Sequence, residues 1–276
     1  YRRLARCQKK YDEELRYLDM EYAQRRDNFG YASTRGLYFW KQDDFVRAGE
    51  EYRKVFNKDD PGEQAERAIN LAVLAFSQGK AEEAKSIVRQ GLELSRGVEY
   101  IRKNRGFEMS YFLAYLYGIS GQLPEALKVA EEACRDFGQQ GQNALRVLYL
   151  RAWIALEMNR FDEFEKQAEE IKEVIRKGQL PQFMRDYYHL LGLRELRKNN
   201  IDAAIGYFGK AMDLFKAPYA GVWAPVYYSW AEAFYRANLP LKALEMYSKL
   251  AEPWVARSFF GDLYAKSFYM KAKIYE

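Results

Sequence analysis

The sequence predicts an all-α solenoid of helix-turn-helix repeats with a period of 36–42 residues. Three observations predict it. A small residue recurs at Gly36, Ala72, Ala114, Ala152, Gly192 and Ala231. Twelve residues after each, a second segment opens at Ala48, Ala84, Ala126, Phe164, Ala204 and Ala243. Between the two columns fall turn words: "KQDD" (41–44), "SQGK" (77–80), "SGQLP" (120–124), "MNR" (158–160), "KNN" (198–200) and "ANLP" (237–240). Their Gly, Asn, Asp and Pro residues supply turns and helix caps.

Each element can be justified in chain order. "KKYDEELRYLDMEYAQRR" (9–26) reads as a second helix preceded only by the stub "YRRLARC". The six openings then continue as Ala48/Tyr52/Val55, Ala84/Val88/Gly91, Ala126/Ala130/Ala133, Phe164/Ala168/Ile171, Ala204/Phe208/Ala211 and Ala243/Tyr247/Leu250. The fourth is the poorest copy, with its large residue first. "GDLYAKSFYMKAKIYE" (261–276) reads as a first helix with Ala272 in the small slot. Flanking segments carry apolar residues at three-to-four spacing and pairs such as Glu50–Lys54, as exposed helix faces do. Two antiparallel helices that cross closely need residues with little side chain at the crossing, and a bulky neighbour one turn onward fills the gap. Extra residues between units, as in "SRGVEYIRKNRGFEM" (95–109), "RKGQLPQFMRD" (176–186) and "KAPYAGVWAPVYY" (216–228), read as longer helices or edge loops. With no composition shift to mark a boundary, one continuous domain over 1–276 is expected, a segment of a longer protein with both ends cut.

The pattern resembles the tetratricopeptide repeat, whose signature runs Trp, Leu-Gly, Tyr, then Ala, Phe and Pro. Leu191-Gly192, Ala204, Phe208, Ala211 and Pro218 carry it well. Gly36, Phe39, Ala48, Tyr52 and Pro61 form a second copy, and Trp230-Ala231, Phe234, Ala243, Tyr247 and Pro253 a third. The resemblance covers about six repeats and implies a right-handed superhelix that binds extended peptides or partner helices along a concave face. It also brings to mind repeat regions of bacterial kinases, cyclases and transcription regulators, and a sensor role of that kind is the alternative reading. The chaperone-tail clamp of the family is disfavoured, because Ser33, Leu37 and Glu108 stand where basic or amide residues would be needed and only Asn70 fits.

Composition narrows function further. His189 is the sole histidine, and Cys7 and Cys134 are the only cysteines. No multi-histidine metal site, disulfide framework, phosphate-binding GxxxxGK or nucleophile GxSxG is present. Acidic pairs such as Asp43-Asp44, Glu82-Glu83 and Glu131-Glu132 sit at turns or helix surfaces, where they assist helix starts or solvation. Neither catalysis, metal nor cofactor is expected. The net charge of +5, from 44 basic and 39 acidic residues, is too evenly mixed for a dedicated nucleic-acid binder despite "YRRLAR" and "IRKNRG". No apolar run reaches the roughly 18–20 residues of a membrane helix. Unpaired cysteines favour a reducing, cytoplasmic setting.

The expected partner is a protein or peptide. Helical arithmetic from the small column predicts the groove-facing positions. Three before it stand Ser33, Ile69, Tyr111, Tyr149, His189, Tyr228 and Tyr269; one after it, Leu37, Val73, Tyr115, Trp153, Leu193, Glu232 and Lys273. Four after it come Trp40, Phe76, Gly118, Leu156, Leu196 and Tyr235, with Arg146, Arg197, Arg236 and Lys266 flanking. Tyrosine and tryptophan give contact area at low entropic cost, and arginine adds ion pairing and cation–π contacts. The expected site is therefore an aromatic and basic groove.

Overall fold

The computed structural model describes residues 11–23, 28–54, 57–96, 98–101, 105–137, 141–214, 224–251 and 260–276. The N-terminal stub with Cys7, and Val55, Pro218 and Pro253, lie outside them. All regular structure among the described residues is helical, as the all-α reading predicts. The chain gathers into two compact units, Tyr1–Gly106 and Phe107–Glu276, taken here one at a time.

In the first unit α1 (Tyr11–Glu21) precedes two hairpins, α2 (Phe29–Lys41) with α3 (Phe45–Arg53) and α4 (Pro61–Ser77) with α5 (Ala81–Arg96). The helix starts follow the sequence chemistry. Asn28 and Asp44 accept from the backbone N–H of Tyr31 and Arg47, and Asp60 accepts from Gly62 ahead of a helix opened by Pro61. Trp40 is buried and donates its indole N–H to Ser77 Oγ at 3.0 Å, while Asn70 donates to Ser33 Oγ at 2.9 Å.

The second unit repeats the hairpin: α6 (Phe107–Ile119) with α7 (Leu123–Phe137), α8 (Gly141–Glu157) with α9 (Phe161–Gly178), α10 (Met184–Arg197) with α11 (Ile201–Asp213), and α12 (Ala224–Arg236) with α13 (Pro240–Ala251). α14 (Gly261–Tyr275) follows as an unpaired first helix among the described residues.

One turn serves both units. The residue seven after each small residue lies in the left-handed region: Asp43, Gly79, Gly121, Asn159, Asn199 and Asn238, with φ between 57° and 78°. The next residue donates back to the carbonyl five earlier, as in Lys80 to Ala75, Gln122 to Tyr117, Asn200 to Glu195 and Leu239 to Phe234. This double closure ends one helix, and the anchor N–H then makes the first turn of the next, as Ala204 does to Asn200 and Ala243 to Leu239. The twelve-residue spacing is seven to the cap and five into the second helix.

Packing follows from the same columns. Ala48, Ala72, Ala84, Ala114, Ala126, Ala152, Ala204, Ala231, Ala243 and Phe208 are fully buried, and Gly36 and Gly192 are buried too. A Cβ on Gly36 would run into the ring of Tyr52, and one on Gly192 into the ring of Phe208. Phe164 is also fully buried, so the poorest copy keeps the packing although its identity changes. Ala168 and Ala130 replace the aromatic where the small residue is Ala152 or Ala114, each pair sharing one cluster.

Candidate functional site

In the second unit the first helices touch in succession: α6 with α8, α8 with α10, α10 with α12, and α12 with α14. Their shared face lines a cavity of about 650 Å³. The position three before the small residue contributes Tyr111, Tyr149, His189 and Tyr228; the position one after contributes Tyr115, Trp153, Leu193 and Glu232. Arg197, Arg236 and Lys266 line it as well. Two register columns over four consecutive repeats thus supply eight of the lining residues.

Three of the expected site residues stand apart from this lining. Arg146 is exposed, Tyr235 is half-buried beneath Lys273 with 5.5 Å from Nζ to its ring centre, and Tyr269 is 67% exposed. The column four after the small residue mostly turns inward. Trp40, Phe76 and Leu156 are core residues, whereas Gly118 and Leu196 reach the cavity. At about 100° per residue, four steps place that column about 40° from the small residue, nearer the face that packs on the hairpin's own second helix than the two groove columns at about 60° and about 100°.

The floor is a hydrogen-bonded line across three helices. His189 is 1% exposed, and burial pulls its pKa from 6.5 down to about 3, so the ring is neutral. Its Nε2 lies 3.1 Å from Ser229 Oγ, and the ring also donates to the Pro225 carbonyl. Its Nδ1 lies 2.6 Å from the Tyr149 hydroxyl, so both ring nitrogens are hydrogen-bonded. Tyr149, His189 and Ser229 are each 40 residues apart, one repeat per step. Ser229 was the member that the sequence reading missed, because the 39-residue step from Gly192 to Ala231 carries His189 to Tyr228, one residue earlier.

The basic residues are not free. Arg197 pairs with Glu157, Arg236 with Glu232 at 2.9 Å and Lys266 with Asp262 at 3.3 Å. The expected basic groove is therefore an aromatic cavity whose charges cancel in pairs.

α14 meets α6 across the row. The Tyr115 hydroxyl donates to Asp262 Oδ1 at 2.8 Å, and Phe260 meets the Tyr115 ring edge-on at 5.3 Å between centres. Trp153 packs against Tyr115 at 5.7 Å and covers Gly118, where an added Cβ would lie 2.5 Å from the indole. Burial and the neighbouring Asp262 raise the Tyr115 pKa well above 10.0. Beside the cavity, buried Asp186 has its pKa pushed from 3.8 to about 7 by desolvation, against the lowering pull of Arg185 and Arg146. Its Oδ1 has no hydrogen-bond partner, and Arg185 Nε stands 3.9 Å away.

No protein-family model matches the chain, and no curated protein does. Solved structures do. The apo form of RapI superposes with a TM-score of 0.61 at 14% identity, over 90% of this chain and 97% of that one. A tetratricopeptide repeat protein from Parabacteroides merdae gives 0.50 at 18% identity, over 90% of each. A chain of the APC/C hetero-tetramer Cut9-Hcn1 gives 0.56 at 15% identity, over 96% of this chain and 46% of that one.

Proposed function

We propose that this chain, which has the tetratricopeptide-repeat fold, is a non-enzymatic binding module whose second unit holds a peptide or protein segment in the aromatic cavity. One observation carries the reading: positions that the repeat register assigns to a single face, from Tyr111 to Tyr228, converge on one hollow of about 650 Å³. That volume lies within the roughly 300–1,000 Å³ of ordinary ligand pockets, and its lining has the mixture of aromatic area and sparse polar groups that such pockets use.

Binding is favoured over catalysis on chemical grounds. His189 is neutral, buried and occupied at both ring nitrogens, so it cannot exchange protons with a substrate. Among the described residues no cluster of three His, Cys, Asp or Glu side chains could hold a metal. None of the described helices is long and apolar enough to cross a membrane. The Cut9-Hcn1 structure, whose chain shares this fold, is itself a protein assembly.

The test is selection of a random linear peptide library on the immobilised chain, followed by affinity measurement on single variants. Anchor residues cost about 1–3 kcal/mol when truncated, so Tyr149→Ala and Trp153→Ala should each weaken the selected peptides about 5–150-fold. Unchanged affinity in both folded variants removes the cavity from the function.

A further inference from the structure

We propose that the occupant of this cavity is a short peptide segment without net charge, bearing an aromatic or bulky apolar side chain. The inference rests on the peptide-binding reading above and specifies its ligand. The sequence reading expected an aromatic and basic groove, in which arginine adds ion pairing and cation–π contacts.

The charged lining is the first argument. Six charged residues reach the cavity, and they form three closed pairs: Arg197 with Glu157, Arg236 with Glu232, and Lys266 with Asp262. An acidic ligand would have to displace Glu157 or Glu232 from its arginine, and a basic one would have to displace the arginine. Either exchanges one partly exposed pair for another of similar small worth, so nothing offsets stripping water from the ligand's own charge. A neutral segment disturbs none of them.

The uncharged lining is the second. Tyr115, Trp153, Tyr149, Tyr228 and Phe260 offer aromatic surface, and edge-on or offset contacts with another ring suit their quadrupoles. Tyr111 and Tyr228 line the cavity, and their hydroxyls have no hydrogen-bond partner among the described residues. Both are available as donors to a carbonyl oxygen. Tyr149 is different, because its hydroxyl is already paired with His189 Nδ1 and keeps at least one lone pair to accept from an N–H. Donors and an acceptor on one wall match the alternating carbonyls and amides of an extended backbone.

The experiment selects a random heptapeptide display library, with acidic and basic codons at full frequency, on the intact chain and in parallel on Trp153→Ala. The expected pool depends on Trp153, is enriched in aromatic and large aliphatic residues, and is depleted in both signs of charge. A synthetic peptide from it should lose less than about threefold in affinity between low and high salt, since screening acts on exposed charge. A Trp153-dependent pool rich in Asp and Glu, with affinity falling about tenfold or more over that range, overturns the neutral class while leaving peptide binding intact. A pool indifferent to Trp153 removes the peptide reading, and this inference with it. If Trp153→Ala does not fold by circular dichroism, Tyr228→Ala takes its place in every arm. As a converse, Glu157→Gln with Glu232→Gln releases Arg197 and Arg236, and the selected pool should then turn acidic; a pool that stays neutral shows that the ion pairs do not set the preference.

Discussion

A methyl group is the unit in which this protein's repeats are specified. Gly192 has no room for one, because the Phe208 ring lies where a Cβ would go. Gly192→Ala should therefore cost about 1–3 kcal/mol, the usual range for overpacking, seen as a lower urea midpoint. Phe208→Leu in the same chain should recover part of that loss by vacating the space. Two buried titratable groups make a second residue-scale prediction. Asp186 ionises at about 7 in the folded chain against an ordinary 3.8, so it withdraws stability as pH rises from about 4 to about 7. His189 protonates at about 3 when folded against 6.5 ordinarily, so it withdraws stability as pH falls below about 6.5. Between about pH 4 and pH 6.5 the two slopes oppose each other. Relative to the unsubstituted chain, Asp186→Asn should make stability climb more steeply with pH there, and His189→Gln should make it climb less. Urea midpoints at pH 4.5 and pH 6.5 test both signs.

At the scale of the element, the hairpin turn is what makes the period readable. Asp43, Gly79, Gly121, Asn159, Asn199 and Asn238 all occupy the left-handed region, and these are residue types that enter it at low cost. The turn words were legible because cap chemistry is local, but their register, seven residues after the small position, emerges only from the hydrogen bonds. Asn199→Gly should leave stability within a few tenths of a kcal/mol, whereas Asn199→Val should cost about 1–2 kcal/mol, since a β-branched side chain clashes in that conformation. Thermal unfolding of the two variants side by side checks the difference. The column four after the small residue was legible only in part, for the opposite reason. Periodicity counts positions around a helix but does not say how wide the buried stripe is, and Trp40 and Leu156 fell inside it.

For the molecule as a whole, the hydrogen bond that spans the most sequence among the described residues is Tyr115 to Asp262, 147 residues apart within the second unit. It ties the first helix of that row to the last and sets one boundary of the cavity. Tyr115→Phe keeps the ring against Phe260 and removes the hydrogen bond, so the loss should be about 1 kcal/mol or a little more. Amide exchange should then quicken in α14 more than in α10; equal protection in both helices would show that the bond does not hold the row closed. The all-α hairpins, the small-residue crossings and the wall from Tyr111 to Tyr228 were legible in the order of residues alone. Those depend on helix periodicity, cap chemistry and packing between residues no more than about two repeats apart. That Glu157 and Glu232 neutralise the arginines, and that Phe260 and Asp262 meet Tyr115, is visible only in three dimensions. Side-chain pairing across helices and the curvature summed over successive repeats arise from many small rotations, and no single stretch of residues encodes that sum.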